Sequence, residues 1–204
     1  MAPFYLPTIW NVGDYKNRMP VTGVILAGGR GVRMAGRDKG LINYQGQPLI
    51  EYLLEAFTPQ VDEILISANR NLEKYRQYGH SVLADQRSDF QGPLAGIEAG
   101  LTHAKHNLVV FTPCDAPFMS TDYVSRLRDV LENKNSRACY ASVADREHPT
   151  HLLLNRECTK SLSSYLESGQ RKVRNWLRLI EAEEVDFSDI PESFININLS
   201  SDLV

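Results

Sequence analysis

The chain of 204 residues has only three cysteines, Cys114, Cys139 and Cys158, widely spaced and without a CxxC pair. That argues against a disulfide framework and a cysteine-based zinc site, and fits a reducing cytoplasm. Long apolar runs are missing as well. Val109-Val110-Phe111 and Leu152-Leu153-Leu154 fall far short of the ~20 residues that a membrane helix needs, so no membrane is expected as a partner. Cations are not in excess: Lys and Arg number 22 against 25 Asp and Glu, a formal charge of −3. No global basic field draws in nucleic acid, and an anionic ligand must find a local basic patch. Residues 1–20 are interrupted by Pro3, Pro7 and Pro20 and lack the charged-then-apolar order of a signal peptide. They are expected to form a poorly ordered extension, with Met19 as an alternative start.

What is present is apolar material for one core, 43% of residues. From Val21 onward, short β-rich runs alternate with stretches of helical spacing. Strands are expected over 21–27, 61–68, 81–84 and 108–112, and helices over Leu49–Phe57, 72–78, 94–104 and 120–131. Such alternation defines βαβ units, a mostly parallel sheet and right-handed crossovers. The expected fold is therefore α/β, a Rossmann-like three-layer sandwich. A C-terminal antiparallel extension should follow, with strands 138–144 and 151–154 as an edge hairpin about a polar turn at 145–149. We expect one domain over 21–204, with 21–135 binding nucleotide and 136–204 binding an acceptor.

Ligands of parallel sheets bind at the carboxyl ends of strands. After the first strand comes Leu26-Ala27-Gly28-Gly29-Arg30-Gly31-Val32-Arg33-Met34-Ala35-Gly36-Arg37-Asp38-Lys39. Its glycines let backbone amides approach an anion, and four cations against Asp38 leave a local charge of +3, which suits a triphosphate. The segment is neither a Walker A loop nor a GxGxxG fingerprint. Asp115 follows the strongest strand, where a carboxylate is well placed to hold Mg²⁺ together with phosphate oxygens. Cys114 beside it reads as a small buried side chain, since nothing in the sequence activates its thiol. His148 and His151 have HxxH spacing but lack a Glu or Cys partner, so they are not taken as a metal site. Residues 170–178 carry Arg171, Lys172, Arg174 and Arg178 without an acid. That run is either a solvated helix face or a docking surface for an anionic acceptor.

The run L-A-G-G-x-x-x-R-M-x-G-x-D-K resembles the signature of nucleotidyltransferases, and its Leu-Ala-Gly-Gly start resembles the molybdenum cofactor guanylyltransferases, the MobA family. Ser67-Ala68-Asn69-Arg70 is similar to the family's Asn-Ala-Asn-Arg, with Ser67 in place of its first asparagine. Gly92-Pro93-Leu94-Ala95-Gly96, Pro113-Cys114-Asp115-Ala116-Pro117, Glu147-His148-Pro149-Thr150 and Asn196-Ile197-Asn198 also resemble family motifs. The resemblance implies transfer of GMP from GTP to the terminal phosphate of molybdenum-molybdopterin, with pyrophosphate leaving and Mg²⁺ as cofactor. It implies nucleotide binding by Leu26, Ala27, Gly28, Gly29, Lys39, Ser67, Asn69, Asp85 and Asp115, and catalysis by Arg33, Lys39 and Asp115, with Asp115 on the metal. Acceptor binding falls to Gly36, Gly92, Gly96, Asn196 and Asn198. Transient contact with molybdoenzymes that take the product is a further expectation. The alternatives are a cytidylyltransferase acting on molybdopterin, an NTP:sugar-phosphate nucleotidyltransferase, and a non-catalytic nucleotide-binding regulatory or carrier protein.

Overall fold

Val21–Leu26 (β1) is buried along nearly its whole length, because parallel neighbours flank it and helices cover both faces, so its sequence is continuously apolar rather than alternating. A computed structural model describes residues 18–29, 38–85, 87 and 92–197. Arg33, Gly36 and Asn198, together with 1–17, lie outside the described residues. After β1 come a small hairpin, Asn43–Tyr44 (β2) and Gln47–Pro48 (β3), then helix Leu49–Phe57 (α1), strand Glu63–Ser67 (β4), helix Leu72–Arg76 (α2) and strand Ser81–Leu83 (β5). Helix Pro93–His103 (α3), strand Leu108–Pro113 (β6) and helix Tyr123–Asn133 (α4) complete the parallel half. The remainder is Ala138–Val143 (β7), Arg146–Asn155 (β8), Cys158–Glu167 (α5), Val173–Leu179 (α6) and Glu183–Asp186 (β9).

The main sheet runs β5-β4-β1-β6-β8-β7-β9. Its β5, β4, β1 and β6 are mutually parallel, whereas β8 pairs antiparallel with β6 and with β7. One face packs Ile25 and Val110 against Ile50, Leu53 and Phe57 of α1, Tyr75 of α2 and Leu127 of α4. The other packs Val24 and Val109 against Leu94 and Ile97 of α3, Leu162 and Leu166 of α5 and Trp176 of α6. This is the expected three-layer α/β arrangement.

Two details of the C-terminal part differ from expectation. The hairpin turns at Ala144, which has φ 49, and β8 continues from Arg146 through Pro149. Pairing jumps from Tyr140 opposite Leu152 to Ala141 opposite His148, so Pro149 falls in a bulge where its missing N–H leaves no ladder bond unmade. The hairpin is also interior: β8 lies on β6, and β9 takes the edge beside β7.

On β8, His151 packs among Tyr123, Phe194 and His148, with ring centroids 6.0, 4.9 and 5.8 Å away. Burial, with His148 beside it, pushes its pKa from the ordinary 6.5 down to about 3. The unfolded chain therefore binds more protons than the folded one between those values, and stability falls as pH drops through that window. From this group the loss should approach ~1.4 kcal/mol per pH unit. Urea unfolding between pH 7 and 4 measures it: His151→Leu should flatten the slope, and parallel slopes for the two proteins would refute this assignment.

Candidate active site

Because β1, β4, β5 and β6 run in parallel, their carboxyl ends meet at one rim of the sheet. Pairing continues past the strand ends: Ala27 N–H donates to Ser67 O at 2.8 Å, Ala68 N–H to Leu83 O at 2.8 Å and Cys114 N–H to Leu26 O at 3.1 Å. The turns are thereby fixed in register, and they enclose a cleft of about 200 Å³. Leu26, Ala27, Gly28, Gly29, Lys39, Ser67, Asp85, Gly92, Gly96 and Asp115, all named from the sequence, line it. Arg70 and Thr150 line it too. Sequence reasoning quoted both within motifs without giving either a role.

At one end of the cleft, Lys39 Nζ donates to Asp115 Oδ2 at 2.6 Å. Their side chains are 32% and 9% exposed, so the pair is partly shielded from water, where charge interactions are strongest. Cys114 adjoins it. Burial raises that thiol well above its usual range, and the carboxylates of Asp115 and Asp38 add to the effect. A neutral thiol is neither a nucleophile nor a metal ligand.

At the other end, Ser67 is 1% exposed, and its Oγ has no hydrogen-bond partner. Asp85 Oδ1 is likewise buried and unpartnered. Two such atoms in one cleft are costly unless a ligand satisfies them. Burial raises the Asp85 carboxyl above the ordinary carboxylate range, against the opposing effect of Asn69. The Asn69 amide donates to Asp85 Oδ2 at 2.7 Å and its carbonyl accepts the Asp85 N–H at 2.9 Å. Asn69, expected at the nucleotide, holds Asp85 through both of its amide atoms. Two residues further along, Arg87 donates to Glu98 of α3 at 2.7 and 2.8 Å, and Ser163 of α5 donates to the same carboxylate at 2.8 Å. The Asp85 segment is thus anchored from both sides.

Gly96, expected at the acceptor, sits against the Ser67 end. A Cβ there would stand 2.7 Å from Ser67 Oγ and 3.1 Å from Leu26 Cδ2. Asn196 precedes Ile197, whose N–H donates to Asp115 O at 2.9 Å. The C-terminal segment is therefore strapped to the turn that carries the metal-ligand candidate. The basic run does not reach the cleft: Arg174 and Arg178 pair with Glu147 at 2.8 and 3.3 Å, and Arg171 donates to Leu166 O at 2.7 Å.

A glycine turn and a carboxylate at adjacent strand ends, with a lysine reaching between them, form a cleft of the kind that nucleotidyltransferases use to hold a triphosphate and a metal. Residues 23–185 match the MobA-like NTP transferase domain family, and the chain belongs to that family. The molybdenum cofactor guanylyltransferase of Shewanella sediminis is 43% identical over 182 residues, covering 88% of this chain and 92% of its own. That of Pasteurella multocida is 41% identical over 180 residues, covering 88% and 95%. In fold, the chain is similar to molybdopterin-guanine dinucleotide biosynthesis protein A from Archaeoglobus fulgidus, with a TM-score of 0.75 at 23% identity, covering 89% and 94%. It is also similar to the 4-diphosphocytidyl-2C-methyl-D-erythritol synthase of Anaerococcus prevotii, with a TM-score of 0.67 at 14% identity, covering 91% and 95%.

Gly96→Ala tests the recess. It should weaken nucleoside triphosphate binding by about tenfold, since the added methyl pushes Ser67 out of place. Helix propensity favours the alanine by ~0.5–1 kcal/mol, so loss of affinity need not follow loss of fold. Calorimetric titration beside a melting curve reads both, and unchanged affinity would remove Ser67 from the nucleotide site.

Proposed function

We infer that this protein transfers GMP from GTP to the terminal phosphate of molybdenum-molybdopterin, giving a pterin guanine dinucleotide and pyrophosphate. The observation that carries the reading is the single cleft with unpartnered Ser67 Oγ and Asp85 Oδ1 at one end and the Lys39–Asp115 pair at the other. Relatives named molybdenum cofactor guanylyltransferase, above 40% identical over most of the chain, supply the base and the acceptor.

In this reading an oxygen of the acceptor's terminal phosphate attacks the α-phosphorus of GTP. The bond from that phosphorus to the bridging oxygen breaks, and pyrophosphate departs with the electron pair. Such transfer depends on positioning and charge neutralisation rather than covalent catalysis. Leu26, Ala27, Ser67 and Asp85 surround the nucleoside. Gly28 and Gly29 carry no side chain, so phosphates reach the backbone there. Lys39 and Arg70 offset the charge on the departing pyrophosphate, with Arg33 assigned to the same task from the sequence. Gly92 is left to the acceptor side with Asn196, and Gly36 and Asn198 join them on the resemblance alone.

The donor set at the metal position fits Mg²⁺. Asp115 supplies one hard, buried carboxylate beside a thiol that stays protonated, and among the described residues no cluster of three His, Cys, Asp or Glu competes for a softer ion. An ion of this kind takes one or two carboxylates and completes its shell with phosphate oxygens and water. When bound, Mg²⁺ supplies charge neutralisation on the triphosphate. All three cysteines are free, and among the described residues no helix is long and apolar enough to cross a membrane. Both facts support a cytoplasmic setting.

Incubation with Mg²⁺, molybdenum-bearing molybdopterin and each NTP in turn, with pyrophosphate release measured, tests the whole reading. Release is expected with GTP. Release only with CTP, or only when a sugar phosphate replaces the pterin, would contradict it. Asp115→Ala should lower turnover by ~10² or more, the usual cost of one key electrostatic group, and undiminished turnover would remove the metal assignment.

A further inference from the structure

Asp38 entered the sequence analysis only as a charge offsetting the arginines of the glycine-rich segment. In the structure its carboxylate is buried, 9% exposed, and both oxygens are held, one from within α2 and one from the residue that precedes it. The Tyr75 hydroxyl donates to Oδ1, and the Asn71 side-chain amide donates to Oδ2 at 3.0 Å. Neither Asp38 nor its two partners lines the cleft. The local sequence is fitted to this contact. Asn71 has φ 50, a left-handed conformation that asparagine tolerates better than most residues. A Cβ on Gly40 would stand 2.7 Å from the Tyr75 hydroxyl oxygen and 3.4 Å from Cys114 Cβ, so a larger residue there would force the tyrosine away. Burial raises the Tyr75 hydroxyl far above its ordinary range, which keeps it a proton donor.

Between Asp38 and Gly40 lies Lys39, which spans 76 residues of sequence to reach Asp115. A carboxylate tied at both oxygens immobilises its own backbone, and that is the backbone from which the lysine extends. We propose that Asp38, clamped by Tyr75 and Asn71, is a positioning residue for nucleotidyl transfer: it sets the direction in which Lys39 meets Asp115 and the triphosphate. The inference rests on the guanylyltransferase reading of the cleft. It also gives the segment after β4 a common task, because Ser67 faces the recess, Asn69 holds Asp85 and Asn71 holds Asp38.

A double-mutant cycle on GTP binding, followed by calorimetry with Mg²⁺ present and acceptor absent, separates positioning from general support of the fold. Tyr75→Phe keeps the buried ring and removes only the hydroxyl. It should weaken GTP binding about tenfold in the otherwise unaltered protein, the scale expected when a buried charged acceptor loses a donor. In the Lys39→Ala background the same change should weaken binding less than about twofold, because the group being positioned is gone. Asp38→Asn, which sets one amide against that of Asn71, should repeat the pattern and stands in if Tyr75→Phe does not fold. Equal losses in the two backgrounds would make the clamp merely structural and overturn the proposal. If Lys39→Ala alone leaves GTP affinity unchanged, the assignment of Lys39 fails and the proposal with it. If Lys39→Ala weakens binding while both clamp variants leave it unchanged, the proposal alone fails.

Discussion

The contact on which the rest of the site depends is the ion pair between Lys39 and Asp115. It joins the end of the glycine-rich segment to the tip of the central strand β6, two pieces of chain that neither helix nor sheet pairing brings together. A lysine facing a mostly buried carboxylate is held in place, and in the proposed reaction each group takes a second partner: phosphate oxygens for the ammonium, a hard cation for the carboxylate. The pair is therefore a placeholder for the charges that the triphosphate brings. In a protein with a net charge of −3, Lys39 and Arg70 line the cleft where the strand ends converge.

Around that pair the sheet does the arranging. Parallel β5, β4, β1 and β6 deliver Asp85, Ser67, the glycine turn and Asp115 to one rim. Backbone bonds that run one residue beyond the ladders keep the turns in register. The antiparallel addition of β8 puts Thr150 on the same cleft, and the strap from Ile197 to Asp115 brings the C-terminal asparagine segment close to the metal position. Asp115 and Ile197, 82 residues apart in the chain, are thereby joined by a backbone hydrogen bond.

Much of this was legible in the sequence, for identifiable reasons. Helix α1 spans Leu49–Phe57 as read, because its apolar spacing is clean and Pro59 marks where it stops. Gly28, Gly29 and Asp115 were legible because strand ends are marked by composition and parallel sheets bind ligands there, whereas Ser67 and Asp85 were singled out by the family resemblance. Pro149 misled the reading of β8, since a proline in a strand normally breaks it and the bulge that accommodates it is a matter of register between two strands. The basic run at 171–178 reads as either a solvated face or an anion-docking surface, and the pairing of Glu147 with Arg174 and Arg178 follows only from the fold. The hold of Asn69 on Asp85 and that of Tyr75 on Asp38 were not legible for the same reason: the partners lie 16 and 37 residues apart. Spacing along the chain encodes which element a residue belongs to, not which side chain it will meet.

The most direct test of the Lys39–Asp115 placeholder is a crystal structure with Mg²⁺ and GTP bound. There Lys39 Nζ should have left Asp115 for phosphate oxygens and the Asp115 carboxylate should coordinate the metal at ~2.1 Å, with the guanosine within reach of Ser67 Oγ and Asp85 Oδ1. A triphosphate lodged away from Gly28 and Gly29, or an intact Lys39–Asp115 pair with the metal bound elsewhere, would contradict it.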